Sequence, residues 1–242
     1  MLSSKVEILM ATYNGEKYIK EQIESIISQT YEEWNLLIRD DGSIDKTLEI
    51  IKEFEKNDKR IKILKDSKGN LGYIKNFEEL LRNSRAEYIF LCDQDDIWRK
   101  DKLEKSLLYL KNKSVIIHNA KILYSEKLKN RYKEKLEFRN KSLISRIVFP
   151  EYTGCCMGLR KEFLKIVLPI PNGFPSHDIW IGMLAEIKKD IYYLNEELID
   201  YRRHLQNVSA TGEKSKNSLL KKLKFRIYNF FFPYIRLIMK RG

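Results

Sequence analysis

The chain has 242 residues, 43% of them hydrophobic and 33% charged, enough to bury the core of one large α/β domain or of one domain with an appendage. Its net charge of +12 points to nucleic acid only until the distribution is read: nine of the 46 Lys and Arg, and none of the 34 Asp and Glu, fall from Lys214 onward, leaving residues 1–213 at +3. A nearly neutral body with a basic tail excludes a general nucleic-acid surface, and three cysteines (Cys92, Cys155, Cys156) without CxxC spacing exclude a zinc ribbon or a disulfide framework.

The N-terminus runs directly into a strand-like segment, Val6–Met10, with no basic region followed by an apolar core, so no secretory signal is expected and a reducing cytoplasm is the simplest setting. Strand-like segments at Val6–Met10, Trp34–Arg39, Ile61–Leu64, Tyr88–Cys92 and Val115–His118 alternate with helix-like segments at Tyr18–Gln29, Lys46–Lys56, Ile74–Ser84 and Asp101–Lys111. This alternation predicts right-handed βαβ units and a mostly parallel sheet.

Three of these strands end in polar, turn-forming residues at one sheet edge: Thr12-Tyr13-Asn14-Gly15, Asp40-Asp41-Gly42-Ser43 and Asp93-Gln94-Asp95-Asp96. In open α/β sheets that edge is where ligands bind. The third loop sets three carboxylates within four residues at the end of a run apolar enough to be buried on both faces. Such repulsion makes sense around a hard divalent cation with substrate phosphates; a polar turn with an acidic helix cap accounts for the loop equally well. Likewise Asp45 can cap the helix at Lys46, Asp41-Gly42 is ordinary turn chemistry, and Asn70-Leu71-Gly72 can be a turn or a close approach of backbone to ligand. Neither GxxxxGK[ST] nor GxGxxG occurs, nor a Gly-rich, Arg-containing loop after the first strand, which disfavours a P-loop phosphotransferase, a dinucleotide-dependent dehydrogenase and a nucleotidyltransferase.

Taken in order, Val6 to Asn14, Gln29-Thr30, Arg39 to Ser43, Asn70-Leu71-Gly72 and Leu91 to Asp96 resemble the nucleotide-sugar half of glycosyltransferase family 2, over roughly residues 5–210. Cys92-Asp93-Gln94-Asp95-Asp96-Ile97-Trp98 and His177-Asp178-Ile179-Trp180 are similar to its rhamnosyltransferase-like branch. The resemblance implies an α/β GT-A fold, an inverting mechanism, a nucleoside diphosphate sugar donor with rhamnose as a candidate sugar, and Mg²⁺ or Mn²⁺. It places Thr12, Tyr13, Asn14, Asp40, Asp41 and Gly72 at the nucleotide sugar, and Asp93 and Asp95 in the DxD motif. Asp95 is then a direct metal ligand, Asp93 faces ribose or metal, His204 is a third metal ligand, Asp178 is the catalytic base, and Asp96 has no assigned role. Many relatives carry Glu-Asp at the base, whereas this chain has His177 before Asp178, which leaves the role of that first residue open. Without the resemblance, Asp178 reads as a helix-entry acid after Pro171, Gly173 and Pro175, and Arg202-Arg203-His204 as a basic turn whose arginines can also pair with phosphate.

Gly154 to Gly158 reads equally as backbone close to a sugar or as a buried strand, and residues 125–146, rich in Lys, Arg and Glu, as a solvated helix or loop. From Ser218 onward apolar residues recur at three- and four-residue intervals among Lys and Arg, no apolar run approaches the roughly 18 residues of a spanning helix, and Pro233 is expected to break the most apolar part. The sequence therefore predicts a GT-A domain over 1–213 and a basic amphipathic tail over 214–242 that lies on an anionic membrane, peripheral on its inner face, or packs on the domain or a second subunit. The expected activity is transfer of a sugar to a surface-polysaccharide or lipid-linked glycan acceptor, with a nucleotidyltransferase or a non-catalytic nucleotide-sugar-binding protein as the competing readings.

Overall fold

The computed structural model describes residues 5–125, 128, 134–204, 207 and 219–240, the side chains of 219–224 and 230 excepted. Strand β1 (Val6–Thr12) lies between β2 (Trp34–Asp40) and β4 (Tyr88–Cys92), with β3 (Ile61–Ile63) outside β2, all parallel. The alternation requires this arrangement, because helices α1 (Ile19–Ile27), α2 (Thr47–Asn57) and α3 (Tyr73–Asn83) supply the crossovers. Val6, Ile8, Leu9 and Met10 are all fully buried, so β1 is covered on both faces and its polar loop is pushed out at the C-terminal edge.

The second half makes the sheet mixed. Strand β8 (Met157–Arg160) pairs antiparallel with β4 and with β6 (Val115–Tyr124), whose other neighbour is the long parallel strand β9 (Ile191–Arg203). Gly158 permits this central pairing, since a Cβ there would lie 2.7 Å from the Phe90 ring. Two register irregularities beside His118 and Asn119 bend the β6–β9 ladder, and the far end of β9 crosses to pair with β5 (Ile97–Trp98), next to the acidic loop. The order is β3-β2-β1-β4-β8-β6-β9-β5, with β7 (Lys135–Leu136) on β6. Helix α4 (Lys102–Leu110) follows β5, while α5 (Leu143–Val148), α6 (Leu164–Val167), α7 (His177–Ile187) and α8 (Leu219–Met239) complete the layers.

Two local expectations are corrected. Of residues 125–146, those described are not merely solvated: Leu136 and Phe138 enter the core, and Arg146 is fully buried, its guanidinium 3.2 Å from Glu186 and donating to the carbonyls of Arg139 and Glu151. Its charge density hid an inward-pointing arginine that ties α5 to α7. Pro233 does not end the tail helix; α8 runs through it, with Pro233 itself buried on the docked side. That side includes buried Asn229, Leu237 against the core, and Arg236, which donates to the carbonyls of Leu168 (3.0 Å) and Pro169 (2.7 Å). Among the described residues no helix is long and apolar enough to cross a membrane.

Replacing Arg146 by Ala leaves the Glu186 carboxylate without its cation and the carbonyls of Arg139 and Glu151 without that donor. Breaking a buried pair in this way should lower unfolding free energy by about 3 kcal/mol. Urea denaturation of Arg146→Ala measures it, and a loss within 0.5 kcal/mol, on the scale of a surface substitution, would place the side chain in solvent after all.

Candidate active site

The three polar loops are interlocked before any ligand is considered. The register Thr12↔Asp40 sets two strand ends side by side, and Thr12 Oγ1 donates to Asp40 Oδ1 at 2.9 Å. Asp40 also takes the Ser43 N–H (2.8 Å), so it shapes its own turn. Asn14, in the left-handed region at φ 49, accepts the Ile44 N–H at 2.9 Å, while its own N–H goes to Ser43 Oγ at 2.8 Å. Asp41 is buried: its two oxygens take the N–H groups of Leu71 and Gly72, both at 2.8 Å, and the Arg39 guanidinium at 2.7 Å. Arg39 continues to Asp66 and to the Gly69 carbonyl, so a buried cation fixes the 66–72 loop to β2. Thr12, Asp40, Asp41 and Gly72 thus form the frame of the cleft, and Tyr13, about half exposed, offers a ring face at its mouth. Asp45 takes the Thr47 N–H at 3.0 Å, but from one position before the N-cap of α2, which is Lys46 and not Asp45 as expected.

Gln94 joins this frame to the acids. Its amide accepts the Tyr13 N–H and donates to the Tyr13 carbonyl, both at 2.9 Å, like one rung of a sheet. Gly15 leaves room for it, since a Cβ there would sit 2.4 Å from Gln94 Oε1.

Asp95 Oδ2 receives two groups from beyond β9: His204 Nε2 at 2.8 Å and Asn207 Nδ2 at 3.0 Å. Tyr18 stacks on the His204 ring at 4.5 Å and holds its orientation. Arg202 closes the loop from behind, its N–H bonding Asp96 Oδ1 at 3.0 Å and its guanidinium the Asp95 carbonyl at 2.8 Å and Glu21 at 2.5 Å. Arg202 is therefore a clamp on the acidic loop.

The charge cost is visible in the acids themselves. Burial, then the charges of Asp95 and Asp178, push the Asp93 carboxyl up to about 7, and burial, then the charges of Asp95 and Asp93, hold Asp96 well above the carboxylate range. The tightest set of donor atoms among the described residues is Asp93, Asp96 and Cys155, within 4.8 Å. The Cys155 thiol, also pushed up by burial, hydrogen-bonds both acids, a protonated arrangement that suits a hard cation poorly. Lys102, fully buried beneath it, donates to the Cys155 carbonyl at 2.7 Å with its ammonium 3.5 Å from the Trp98 ring centre.

Asp178 stands in the first turn of α7, accepting the Ile179 N–H at 2.7 Å, the Ser176 hydroxyl and the Gly154 N–H. Burial pushes its carboxyl up to about 7. Its charge is felt at Asp93, so the two acids lie close to one another. His177 stacks on Phe77 at 4.2 Å and against Gly154, and burial lowers it to about 3, so it is a neutral packing residue. All three cysteines are free and buried.

The sequence profile of glycosyl transferase family 2 matches residues 7–168, which include the frame and the acidic loop. The chain belongs to glycosyltransferase family 2. It is 31% identical over 212 residues to the dTDP-rhamnosyl transferase RfbG of Shigella flexneri, covering 82% of this chain and 72% of that one. With the UDP-Glc:alpha-D-GlcNAc-diphosphoundecaprenol beta-1,3-glucosyltransferase WfgD of Escherichia coli it shares 29% over 227 residues, 87% and 81% of the two chains. Among solved structures, Staphylococcus aureus TarS 1-349 with UDP superposes with a TM-score of 0.66 at 21% identity over 82% of this chain, which spans 60% of that fragment's length. The mannosyltransferase PcManGT of Pyrobaculum calidifontis, solved with GDP-Man and Mn²⁺, matches at 0.59 and 14% over 98% of this chain and 73% of its own. The fold of this family 2 member is accordingly GT-A.

Within this family 2 site, the sequence reading overlooked Gln94 as a clamp, Tyr18, Asn207 and Lys102. Gln94 lies inside a quoted motif, while Tyr18, Asn207 and Lys102 stand three or four residues beyond one and carry no signal of their own, so they meet the site through folding alone. The clamp yields a test: Gly15→Ala drives the new methyl into the Gln94 amide and should cost about 2 kcal/mol, two hydrogen bonds of ordinary worth. In a Gln94→Ala background the same change should cost less than about 1 kcal/mol, because the atom it hits is gone. A denaturation double-mutant cycle measures the coupling, and strictly additive losses would contradict the clamp.

Proposed function

We propose that this chain is a metal-dependent inverting glycosyltransferase that moves a sugar from a nucleoside diphosphate donor to a glycan acceptor. The observation that carries the reading is the approach of two acid sets, Asp93 and Asp95 at the end of β4 and Asp178 at the start of α7, close enough that the charge of Asp178 adds to the burial that raises Asp93. Asp178 has the attributes of a base for an acceptor hydroxyl: a carboxylate oriented by Ile179 N–H and Ser176, and a pKa near working pH.

The donor set fits a hard divalent cation. Asp95 presents an oxygen already shared with an imidazole nitrogen and an amide, and Asp93 stands beside it, raised by burial and then by the charges of Asp95 and Asp178. Asp95, His204 and Asp93 would hold Mg²⁺ or Mn²⁺, which supplies charge for the departing diphosphate. The frame of Thr12, Tyr13, Asn14, Asp40, Asp41 and Gly72 receives the nucleotide sugar, with Tyr13 free to stack on a base. RfbG, named a dTDP-rhamnosyl transferase, supports rhamnose as the sugar, and WfgD, named for a diphosphoundecaprenol acceptor, supports a lipid-linked glycan. Residues 1–213 form the catalytic body, and 214–242 attach it peripherally to the inner face of an anionic membrane, an attachment supported by the nine basic groups of that segment.

Two variants separate chemistry from binding. Asp178→Asn should lower kcat by about 10²–10⁴-fold with donor affinity nearly unchanged. Wild-type kcat/KM should rise with pH through about 7, as Asp178 loses its proton, and the variant should lack that limb. Equal pH profiles for the two forms would move the base elsewhere. Asp95→Ala should keep its fold yet lose the Mn²⁺-dependent part of nucleoside diphosphate affinity in calorimetry; an unaltered Mn²⁺ dependence would remove Asp95 from the metal.

A further inference from the structure

On the opposite sheet edge from the acids, about 20 Å away at the rise of a seven-residue strand, lies a groove of about 760 Å³ at the start of β1 and β4 and the end of β8. Six bases line it, Lys5, Arg82, Arg85, Arg160, Lys161 and Lys165, against two acids, Glu87 and Glu162, over a floor that includes Leu81, Leu164 and Leu168. Three of the bases are committed: Arg82 to Glu78 at 2.6 Å, Arg160 to Glu162 at 3.0 Å, and Lys161 to the Arg85 carbonyl at 3.0 Å. Lys5, Arg85 and Lys165 are exposed and pair with no carboxylate among the described residues. A concentration of uncompensated cations in a concave site is an anion-binding arrangement, and nothing in transfer chemistry at the far edge uses it.

The groove adjoins α8. Arg236 reaches the carbonyls of Leu168 and Pro169, so the C-terminal end of the helix rests on the segment that floors the groove. From there an apolar stripe runs back along the outer face: Ile238, Tyr234, Phe231 and Ile227, at helical spacing and each 47% exposed or more. Among the described residues, ten of the sixteen large exposed hydrophobic ones belong to α8 or to the α5 region, including Ile144 and Phe149, and Arg226 packs over the Phe149 ring at 5.8 Å. The described arginines of α8 turn toward the protein, Arg226 to Phe149 and Arg236 to carbonyls. They are not the groups that meet an anionic surface.

We propose that the groove of Lys5, Arg85 and Lys165 is the phosphate-headgroup site of an anionic membrane lipid, and that together with the outer face of α8 it docks the protein on the bilayer. This rests on the peripheral-membrane reading above and adds to the charge of the tail a second cationic site on the catalytic body. A bilayer is the partner because it alone offers both halves of the surface side by side: an apolar layer for Phe231 and Ile238, and a dense plane of phosphate for the groove. A soluble anion would leave the apolar stripe uncovered.

Vesicle co-sedimentation of the full chain tests it, with phosphatidylcholine alone and mixed with phosphatidylglycerol. The triple variant Lys5→Ala, Arg85→Ala, Lys165→Ala should lose the phosphatidylglycerol-dependent part of binding, at least roughly tenfold, and keep the part seen on phosphatidylcholine. A control with equal charge removed from the α2 and β3 edge, Lys52→Ala, Lys56→Ala and Lys62→Ala, should bind as wild type. Ile238→Glu should instead reduce binding to both vesicles. Wild-type binding by the groove variant, or equal losses in groove variant and control, would overturn the site. Donor hydrolysis or transfer in detergent solution, unchanged in all four proteins, reports on the transferase reading separately.

Discussion

Placing three carboxylates within four residues at the end of a fully buried strand is the constraint around which this molecule is arranged. Like charges that close, partly out of water, cannot all be ionised unless a cation or donors intervene. Each neighbouring element supplies one of these. The end of β9 returns over the loop with Arg202 on its backbone and His204 and Asn207 on Asp95. The turn Gly154-Cys155-Cys156 brings a thiol to Asp93 and Asp96 and, one residue earlier, an N–H to Asp178. Lys102, from the helix after the loop, sits under that turn and is the only fully buried lysine among the described residues. The acids thereby recruit three distant segments into one site.

The loops after β1 and β2, proposed to receive the nucleotide, are built by the opposite logic, with polarity consumed internally. Asp41 and Arg39 satisfy each other and the backbone of 69–72, and Asp40 satisfies Thr12 and Ser43. A buried pair with every oxygen and N–H used is costly to assemble yet hard to deform. The frame is therefore rigid while the acids opposite keep unmet demand for positive charge. That contrast is suited to a site in which a nucleotide docks on a fixed surface and the reactive end is completed by what arrives with it.

The first four strands and four helices were legible because each is a continuous apolar run or a periodic helix with turn chemistry at its ends; their boundaries differ from the expected ones by a residue or two. Strand β9 was not, since Ile191–Arg203 mixes Asn195, Glu196, Glu197 and Asp200 into a half-exposed ladder with no clean alternation, and its pairing to β6 breaks register twice. Strands β5 and β7, two residues each, carry no periodicity to read. At the candidate site, Asp93, Asp95 and Asp178 came from motif resemblance. Their electrostatics did not, because a pKa depends on burial and on neighbours such as Asp178 that lie 85 positions away in the chain. Arg146 and Lys102 illustrate the same blindness: a charged residue in a charged stretch gives no sign that it points inward.

Helix α7 links the two ends of the functional reading. Asp178 stands at its start, Trp180 two residues later is fully buried, and Arg236 of α8 lies over that indole at 5.2 Å. Asp178 and the helix with the exposed apolar stripe thus belong to two helices packed directly on one another. If the stripe docks on a bilayer as proposed, the depth and tilt it sets for α8 would pass to α7 and to Asp178. An acceptor anchored in that bilayer would then meet the carboxylate at a defined height, and the shared surface would meet part of the entropic cost of bringing hydroxyl and carboxylate together.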